Sequence, residues 1–69
     1  MLIKVKVKRS DWKQELESFG NNMYLAYIIS DSEEYTGELM AVISKKLGVP
    51  PGRIELKSRN GRDFVFDLR

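Results

Sequence analysis

The sequence predicts a small α+β domain, a two-layer sandwich in which one principal helix, at about residues 33–47, packs on a four-stranded, mostly antiparallel or mixed sheet. Two observations lead to this prediction. Several short segments alternate apolar and polar residues, which is the pattern of half-buried strands, and one segment repeats its apolar residues at helical spacing. No linker, repeat or low-complexity stretch interrupts the 69 residues, so 1–69 should form one domain.

The first segment, 2–9, alternates strictly. Ile3, Val5 and Val7 are expected to face the core. The lysines between them would then stand on the solvent face or guard an edge of the sheet against aggregation. The segment 23–29 is apolar on both faces, which suits a central strand or a strand whose second face is covered.

Residues 10–22 fit two different structures. Trp12, Leu16 and Phe19 have the spacing of a short amphipathic helix. Alternatively, residues 14–19 form a strand that turns at the following glycine and asparagines into the next strand. Both structures remain open at this point.

The helix at 33–47 has signals at both ends. Its apolar stripe consists of Leu39, Met40, Ile43 and Leu47. Asp31 and Glu34 have the spacing of a capping box at the start. Gly48 is expected to end the helix in the left-handed conformation, with Val49 making the accompanying apolar contact, and the two prolines that follow prevent continuation.

The last two apolar segments predict a C-terminal β-hairpin. A two-residue turn at Asn60-Gly61 would put the apolar residues of the two strands on opposite faces. A three-residue loop, 59–61, with Gly61 at a positive φ, removes this conflict. It places two pairs on the core side, Leu56 with Phe64 and Ile54 with Phe66.

From Gly37 the chain reads Gly-Glu-Leu-Met-Ala-Val-Ile-Ser-Lys-Lys-Leu-Gly-Val-Pro-Pro-Gly-Arg-Ile-Glu-Leu. This stretch resembles the YggU-like family of small uncharacterised proteins, in which a helix runs into Leu-Gly-Val-Pro, then Arg-Ile-Glu and a strand. The chain departs from the family pattern before the helix, where residues 29–36 contain no proline and Tyr35-Thr36 replaces Ala-Asn. The resemblance implies the fold and a cytoplasmic location, and it implies no activity.

A weaker resemblance is to ubiquitin-like β-grasp domains. It is carried by Leu-Gly-Val-Pro-Pro at 47–51, followed by a strand and a turn at Asn60-Gly61. The charged stretch at 10–18 departs from the tight hairpin that this fold has after its first strand.

The composition excludes several classes of function. The chain has no cysteine and no histidine, so it has no disulfide, thiolate nucleophile, imidazole base or His/Cys zinc site. Its longest apolar run, 23–29, is too short for a membrane span, and no membrane partner is expected. We interpret the densest carboxylate cluster as helix caps; it consists of Asp31, Glu33 and Glu34. We therefore expect no enzyme, catalytic residue, metal site or cofactor.

The net charge of +2 conceals a segregation of charge along the chain. Residues 14–44 hold six acids and no lysine or arginine, while 1–13 and 45–69 hold all twelve basic residues against four acids. Such asymmetry is typical of a footprint for an anionic partner, and it is equally what a helix dipole favours around one helix.

Three functions follow, and the first is favoured: a small cytoplasmic binding or adaptor domain for a protein partner, which uses an apolar strip of Ala26, Ile28 and Val65. The alternative is binding of single-stranded RNA or DNA on a basic sheet face, with a strand tyrosine stacking a base. Its candidate residues are Lys4, Lys6, Lys8, Tyr24, Arg53, Lys57, Arg59 and Arg62. The third is a structural domain of unknown role. The oligomeric state stays open, with a monomer favoured.

Overall fold

The computed structural model describes residues 1–30, 32 and 34–69, and in these residues one α-helix crosses one face of a five-stranded mixed sheet. The strand order is β2-β3-β1-β5-β4. The elements are β1 (Leu2–Arg9), β2 (Glu15–Ser18), β3 (Met23–Ile28), α1 (Thr36–Leu47), β4 (Ile54–Asn60) and β5 (Asp63–Leu68), with a 3-10 turn (Pro51–Arg53) before β4. The predicted α+β class and single principal helix are confirmed, whereas the predicted number of strands, four, is wrong.

The additional strand is β2, which resolves the ambiguity of residues 10–22. It pairs antiparallel with β3, and the hairpin turns through Gly20 and Asn22, which both have a positive φ. In β2 only Leu16 is buried, whereas Trp12 and Phe19 are 78% and 64% exposed. A helix with these three residues on one face would have buried them together, so the strand alternative is confirmed.

The centre of the sheet is β1. It lies parallel to β3 on one side and antiparallel to β5 on the other, which confirms a mixed sheet. The lysines of β1 therefore do not guard an edge, because neither side of this strand is free. They point away from the helix, since Ile3, Val5 and Val7 alternate with them and are buried beneath it.

Helix α1 begins at Thr36, three residues after the predicted start at 33. Its N-cap is Tyr35, which makes no side-chain capping hydrogen bond, and Glu34 N–H instead donates to Ser32 Oγ at 3.1 Å. Of the predicted capping box, Asp31 lies outside the described residues and Glu34 precedes the helix. The Tyr35 ring is buried against Phe64, with ring centroids 5.7 Å apart, so packing of this aromatic side chain fixes the entry into the helix.

The C-terminal end of α1 agrees with the prediction. Gly48 has a φ of 69°, and its N–H donates to Ser44 O at 2.9 Å. A side chain is penalised in this left-handed conformation, which explains the glycine. The predicted stripe is confirmed as well, because Leu39 and Ile43 are buried and Met40 and Leu47 pack against the core.

The predicted residue pairs of the C-terminal hairpin are wrong, although the structure does place Ile54, Leu56, Phe64 and Phe66 on the helix side of the sheet as predicted. The turn is Gly61-Arg62, with Asn60 opposite Asp63, and a bulge at Lys57 shifts the register. The observed pairs are Leu56 with Phe66 and Ile54 with Leu68. One extra residue is needed to bring the apolar residues onto one face, and the chain places it in the strand as a bulge rather than in the loop.

The core lies between the sheet and α1. Its buried side chains come from every strand and from the helix: Ile3, Val5, Val7, Leu16, Ala26, Ile28, Tyr35, Leu39, Val42, Ile43, Ile54, Phe64, Phe66 and Leu68. The Phe64 and Phe66 rings stack with centroids 5.9 Å apart at 5°. All the strands thus turn one apolar face to the helix, which leaves the other face of the sheet to solvent.

Glu38 ties the first turn of α1 to the chain that leaves β3. Its carboxylate accepts hydrogen bonds from Ile29 N–H at 2.8 Å, Ser30 N–H at 3.2 Å and Gln14 Nε2 at 2.7 Å. Burial alone would raise the pKa of Glu38, but these hydrogen bonds outweigh it and leave the pKa below its ordinary value of 4.5.

Glu38→Gln is expected to lower the free energy of unfolding at neutral pH by about 1–2 kcal/mol, because these bonds are made to a charged group. A lowered pKa in the folded state stabilises the fold above pH 4.5, and this contribution is lost as the pH falls through the folded-state pKa. Urea unfolding at about pH 7 and pH 3 should therefore show a smaller acid loss in Glu38→Gln than in wild type. The exposed Glu34→Gln is the control, and equal acid losses in all three proteins would contradict this account.

Candidate nucleic-acid interface

The face of the sheet opposite α1 is called the open face here. It carries the outward side chains of the three central strands: Lys4, Lys6 and Lys8 from β1, Met23, Leu25 and Tyr27 from β3, and Asp63, Val65 and Asp67 from β5. In the part of the chain that the structure describes, no helix packs on this face. A sheet with one uncovered face is the platform on which several families of single-strand binders operate.

The three lysines form one column along the middle strand. The register places Lys4 between Met23 and Val65, and Lys6 between Leu25 and Asp63. Lys8 lies beside Tyr27 on β3. Alternate residues of a strand are about 6.6 Å apart, so the ammonium groups form a regular row of positive charge flanked by apolar side chains.

The acids of the open face lie on both sides of this column, and most of them form ion pairs with other groups. Glu15 and Glu17 both pair with Lys13, at 3.4 and 3.7 Å, on the β2 side. On the β4 side, Asp67 pairs with the amino group of Met1, and Glu55 pairs with Lys57 and Arg69. The hydrogen bond from that amino group holds the pKa of Asp67 below its ordinary value, so this carboxylate stays charged and paired.

The lysine column itself is not neutralised. Among the described residues, Lys4, Lys6 and Lys8 make no ion pair, and the register neighbour Asp63 makes none either. The ion pairs of the face join four cations to four acids, so their charges sum to zero over the face, with one excess acid on the β2 side and one excess cation on the β4 side. The unpaired excess is positive and centred on β1.

An aromatic corner lies at the end of the column near Lys8. The Lys13 ammonium stands 3.9 Å from the Tyr27 ring centroid and 5.3 Å from that of Trp12. Partial desolvation would lower the pKa of Lys13, but its hydrogen bond with Glu15 and its charge interactions with neighbouring groups leave the pKa raised. The ammonium therefore stays charged near two rings, one of which, Trp12, is 78% exposed.

The loop that presents this corner is fixed by Ser10. Its hydroxyl oxygen accepts hydrogen bonds from the backbone N–H groups of Trp12 and Lys13, both at 3.3 Å. Ser10 N–H in turn donates to Ile28 O at 2.7 Å, which anchors the loop to the end of β3. The exposed indole is thus held next to the sheet by a short, hydrogen-bonded connection.

Part of the predicted basic face does come together. Lys4, Lys6 and Lys8 share the open face, and Lys57 joins them there, since its ammonium lies 3.7 Å from Glu55 Oε1 on the same side. The structure thus brings four of the eight candidate residues to one face of the sheet.

Four of the predicted residues lie elsewhere. Tyr24 stands beside Val5 on the helix side, so Tyr27 is the tyrosine of the open face. Arg59 also lies on the helix side, with its guanidinium 4.9 Å from the ring centroids of Tyr35 and Phe64. Arg53 belongs to the 3-10 turn before β4, and Arg62 to the hairpin turn.

The predicted apolar strip for a protein partner does not exist as one surface. Ala26 and Ile28 are 0% and 1% exposed, because the parallel register places Ala26 beside Val7 under the helix. Val65 pairs with Lys4 and faces the opposite side. This correction follows from the alternation of strand side chains: the even-numbered residues of β3 face the helix, whereas Val65 of β5 faces away from it.

Trp12 and Lys13 are functional candidates that the sequence analysis did not identify. In the sequence, Trp12 was prominent only for its helical spacing with Leu16 and Phe19. The available signal was an aromatic-lysine pair in a short polar loop, followed by two acids at alternate positions that could hold the lysine.

Comparison with known proteins adds no relative: no protein-family model, curated protein or solved structure matches the chain. Within residues 1–30, 32 and 34–69, no helix has the length and apolar character needed to cross a membrane. The described residues also contain no group of three or more acids arranged to hold a metal ion. Two members of the carboxylate cluster at the start of the helix, Asp31 and Glu33, lie outside the described residues.

Proposed function

We propose that this domain binds single-stranded nucleic acid on its open face. Lys4, Lys6 and Lys8 would contact successive phosphates, and Trp12 and Tyr27 would stack bases at the end of the column. The observation that carries the proposal is the unpaired lysine column in the central strand of an uncovered sheet, where the neighbouring acids are mostly held by other cations. Phosphate contacts supply the affinity of such binding, and aromatic side chains supply sequence-tolerant stacking.

The aromatic corner favours a single strand over a duplex. Base stacking on Trp12 or Tyr27 needs an unstacked base with a free face, which a duplex interior does not offer. The sheet also presents its charge along one central strand and not on a protruding helix or ribbon that could enter a major groove.

An adaptor role toward a protein, which the sequence analysis favoured, is the second candidate, and it is supported by a different observation from the one that first suggested it. Phe19 and Met23 are both exposed at the Lys4 end of the open face, and Val65 adds to this apolar area. Exposed apolar groups next to one another are typical of a protein contact. Such a contact would depend little on salt, whereas phosphate contacts weaken steeply with it.

Trp12 is the only tryptophan of the chain and reports directly on the proposed stacking. Titration with single-stranded oligonucleotides of thymidine or uridine is expected to quench its fluorescence. Three phosphate contacts predict a logarithmic salt slope of about −2, which corresponds to about 20-fold weaker binding at 200 mM than at 50 mM salt. Fluorescence that does not respond, or binding that does not depend on salt, would contradict the proposal.

Substitutions at the same position separate stacking from stability. Because Trp12 is largely exposed, Trp12→Ala is expected to change the free energy of unfolding by less than about 0.5 kcal/mol. Binding of a labelled oligonucleotide, followed by anisotropy, should weaken in Trp12→Ala and be largely retained in Trp12→Phe, which keeps an aromatic face.

A further inference from the structure

A groove runs between the edge strand β2 and helix α1, on the side of the molecule away from the open face. It has a volume of about 360 Å³. It begins at Gln14 and Glu38, which are hydrogen bonded to each other, and passes over Leu16 and Val42. It ends at the last turn of the helix, where its lining consists of Lys45 and Lys46.

The wall that β2 contributes to this groove is an unpaired strand edge. β2 is the outermost strand of the sheet and pairs only with β3. Phe19 N–H donates to Met23 O, which shows that Phe19 turns its backbone toward β3, and alternate residues such as Glu17 do the same. Leu16 and Ser18 therefore point their N–H and C=O groups outward, where an added strand could bind them.

The two edges of the sheet differ in their suitability for an added strand. The outer strand β4 is bulged at Lys57, and a bulge disrupts a continuous ladder. β2 is short but regular. Its two glutamates pair with Lys13, and one of them, Glu15, also borders the groove.

The charges of the groove define the chemistry of an occupant. At one end, the Glu38 carboxylate accepts three hydrogen bonds, from Gln14 and from the backbone of Ile29 and Ser30. At the other end, Lys45 and Lys46 make no ion pair with any described residue. An occupant thus meets the nearly buried side chains of Leu16 and Val42, with Glu15 at the border, and then two cations that have no ion pair among the described residues.

From this geometry we infer a second binding site, one that takes an extended segment of a partner protein as a strand added to β2. The partner residue opposite Leu16 is apolar and lies over Val42, and the next residue on the same side is acidic and pairs with Lys45 and Lys46. The main-chain hydrogen bonds provide affinity and the alternate side chains provide specificity, as in other cases of strand addition. The site goes beyond the proposed nucleic-acid function and does not depend on it.

The test is an amide NMR titration with a short capped peptide of alternating valine and threonine. One valine of this peptide is replaced by glutamate, so that the glutamate lies two residues after a valine and on the same side of the strand. We expect shifts at Leu16, Ser18, Val42 and Lys45, without nucleic acid present. The double charge reversal Lys45→Glu with Lys46→Glu should weaken binding at least about tenfold. A second peptide with lysine in place of the glutamate should bind the charge-reversed protein more tightly than the glutamate peptide does, which is the opposite of the order expected for wild type.

Ala41→Phe provides an independent variant, because Ala41 is exposed on the helix and a larger side chain there fills the groove without changing charge. It should also abolish the shifts at Leu16 and Ser18. Shifts confined to the open face or to β4, or unchanged binding by the charge-reversed protein, would overturn the inference. Lysine substitutions on β1 should leave peptide binding unchanged, which separates this site from the nucleic-acid proposal.

Discussion

Replacing Lys4, Lys6 and Lys8 together by glutamine is expected to weaken binding of a single-stranded oligonucleotide by at least tenfold at about 50 mM salt. Glutamine keeps much of the side-chain length and removes the charge, so the counterion release that drives binding is lost. The logarithmic salt slope should also fall from about −2 toward zero. Anisotropy of a labelled oligonucleotide at several salt concentrations measures both effects.

The matched control for this variant is Lys45→Gln with Lys46→Gln. These lysines are also exposed and unpaired among the described residues, but they lie at the end of α1 on the other side of the molecule. The control should retain the salt slope of wild type. Equal losses in both variants would show that binding follows net charge rather than the lysine column. Neither set should change the free energy of unfolding by more than about 0.5 kcal/mol per residue.

Phe66→Ala is expected to have the largest effect on stability. Phe66 is fully buried, stacks on Phe64 and stands opposite Ile3 in the middle of the sheet. Truncation of a buried phenylalanine to alanine costs about 3–5 kcal/mol. A domain of 69 residues has a total stability of about 3–10 kcal/mol, so the substitution should remove a large share of it and lower the urea midpoint strongly.

Far-UV circular dichroism during urea unfolding measures this loss. Met23→Ala is the control, because Met23 is exposed on the open face, and it should cost less than about 1 kcal/mol. If Phe66→Ala does not fold at all, Phe66→Leu gives a smaller and measurable loss, since it retains most of the apolar volume. A wild-type-like unfolding midpoint for Phe66→Ala would contradict the position of the core described above.

The elements with strong local signals were predictable from the sequence. The alternation of β1, the apolar stripe of α1 and the glycine after Leu47 each have one physical interpretation, and the structure confirms them. The start of the helix was less predictable, because it depends on burial of Tyr35 against Phe64. That contact joins residues far apart in the sequence, and no local pattern encodes it.

The local sequence pattern determines neither the order of the strands in the sheet nor the register of the final hairpin. β2 contributes one buried residue, Leu16, so its four residues carry almost no periodicity. In the hairpin, the apolar pattern requires one extra residue between Leu56 and Phe64, and it is equally satisfied by a longer loop or a bulge. The structure uses the bulge at Lys57.

For the candidate site, the lysine column was predictable and the aromatic partner was not. β3 is apolar on both faces, so its sequence cannot decide whether Tyr24 or Tyr27 shares the face of the lysines. The parallel register with β1 decides it in favour of Tyr27. The ion pairs of Lys13 with Glu15 and Glu17 likewise depend on the path of the loop at 10–14.

The most direct test of the central claim, that the open face binds single-stranded nucleic acid, is a two-dimensional amide NMR titration with short RNA and DNA oligonucleotides at about 50 and 200 mM salt. We predict shifts at Lys4, Lys6, Lys8, Trp12 and Tyr27 that decrease at the higher salt concentration, while the amides of α1 stay unchanged. Spectra that do not change at low salt, or shifts that centre on α1, would contradict the claim.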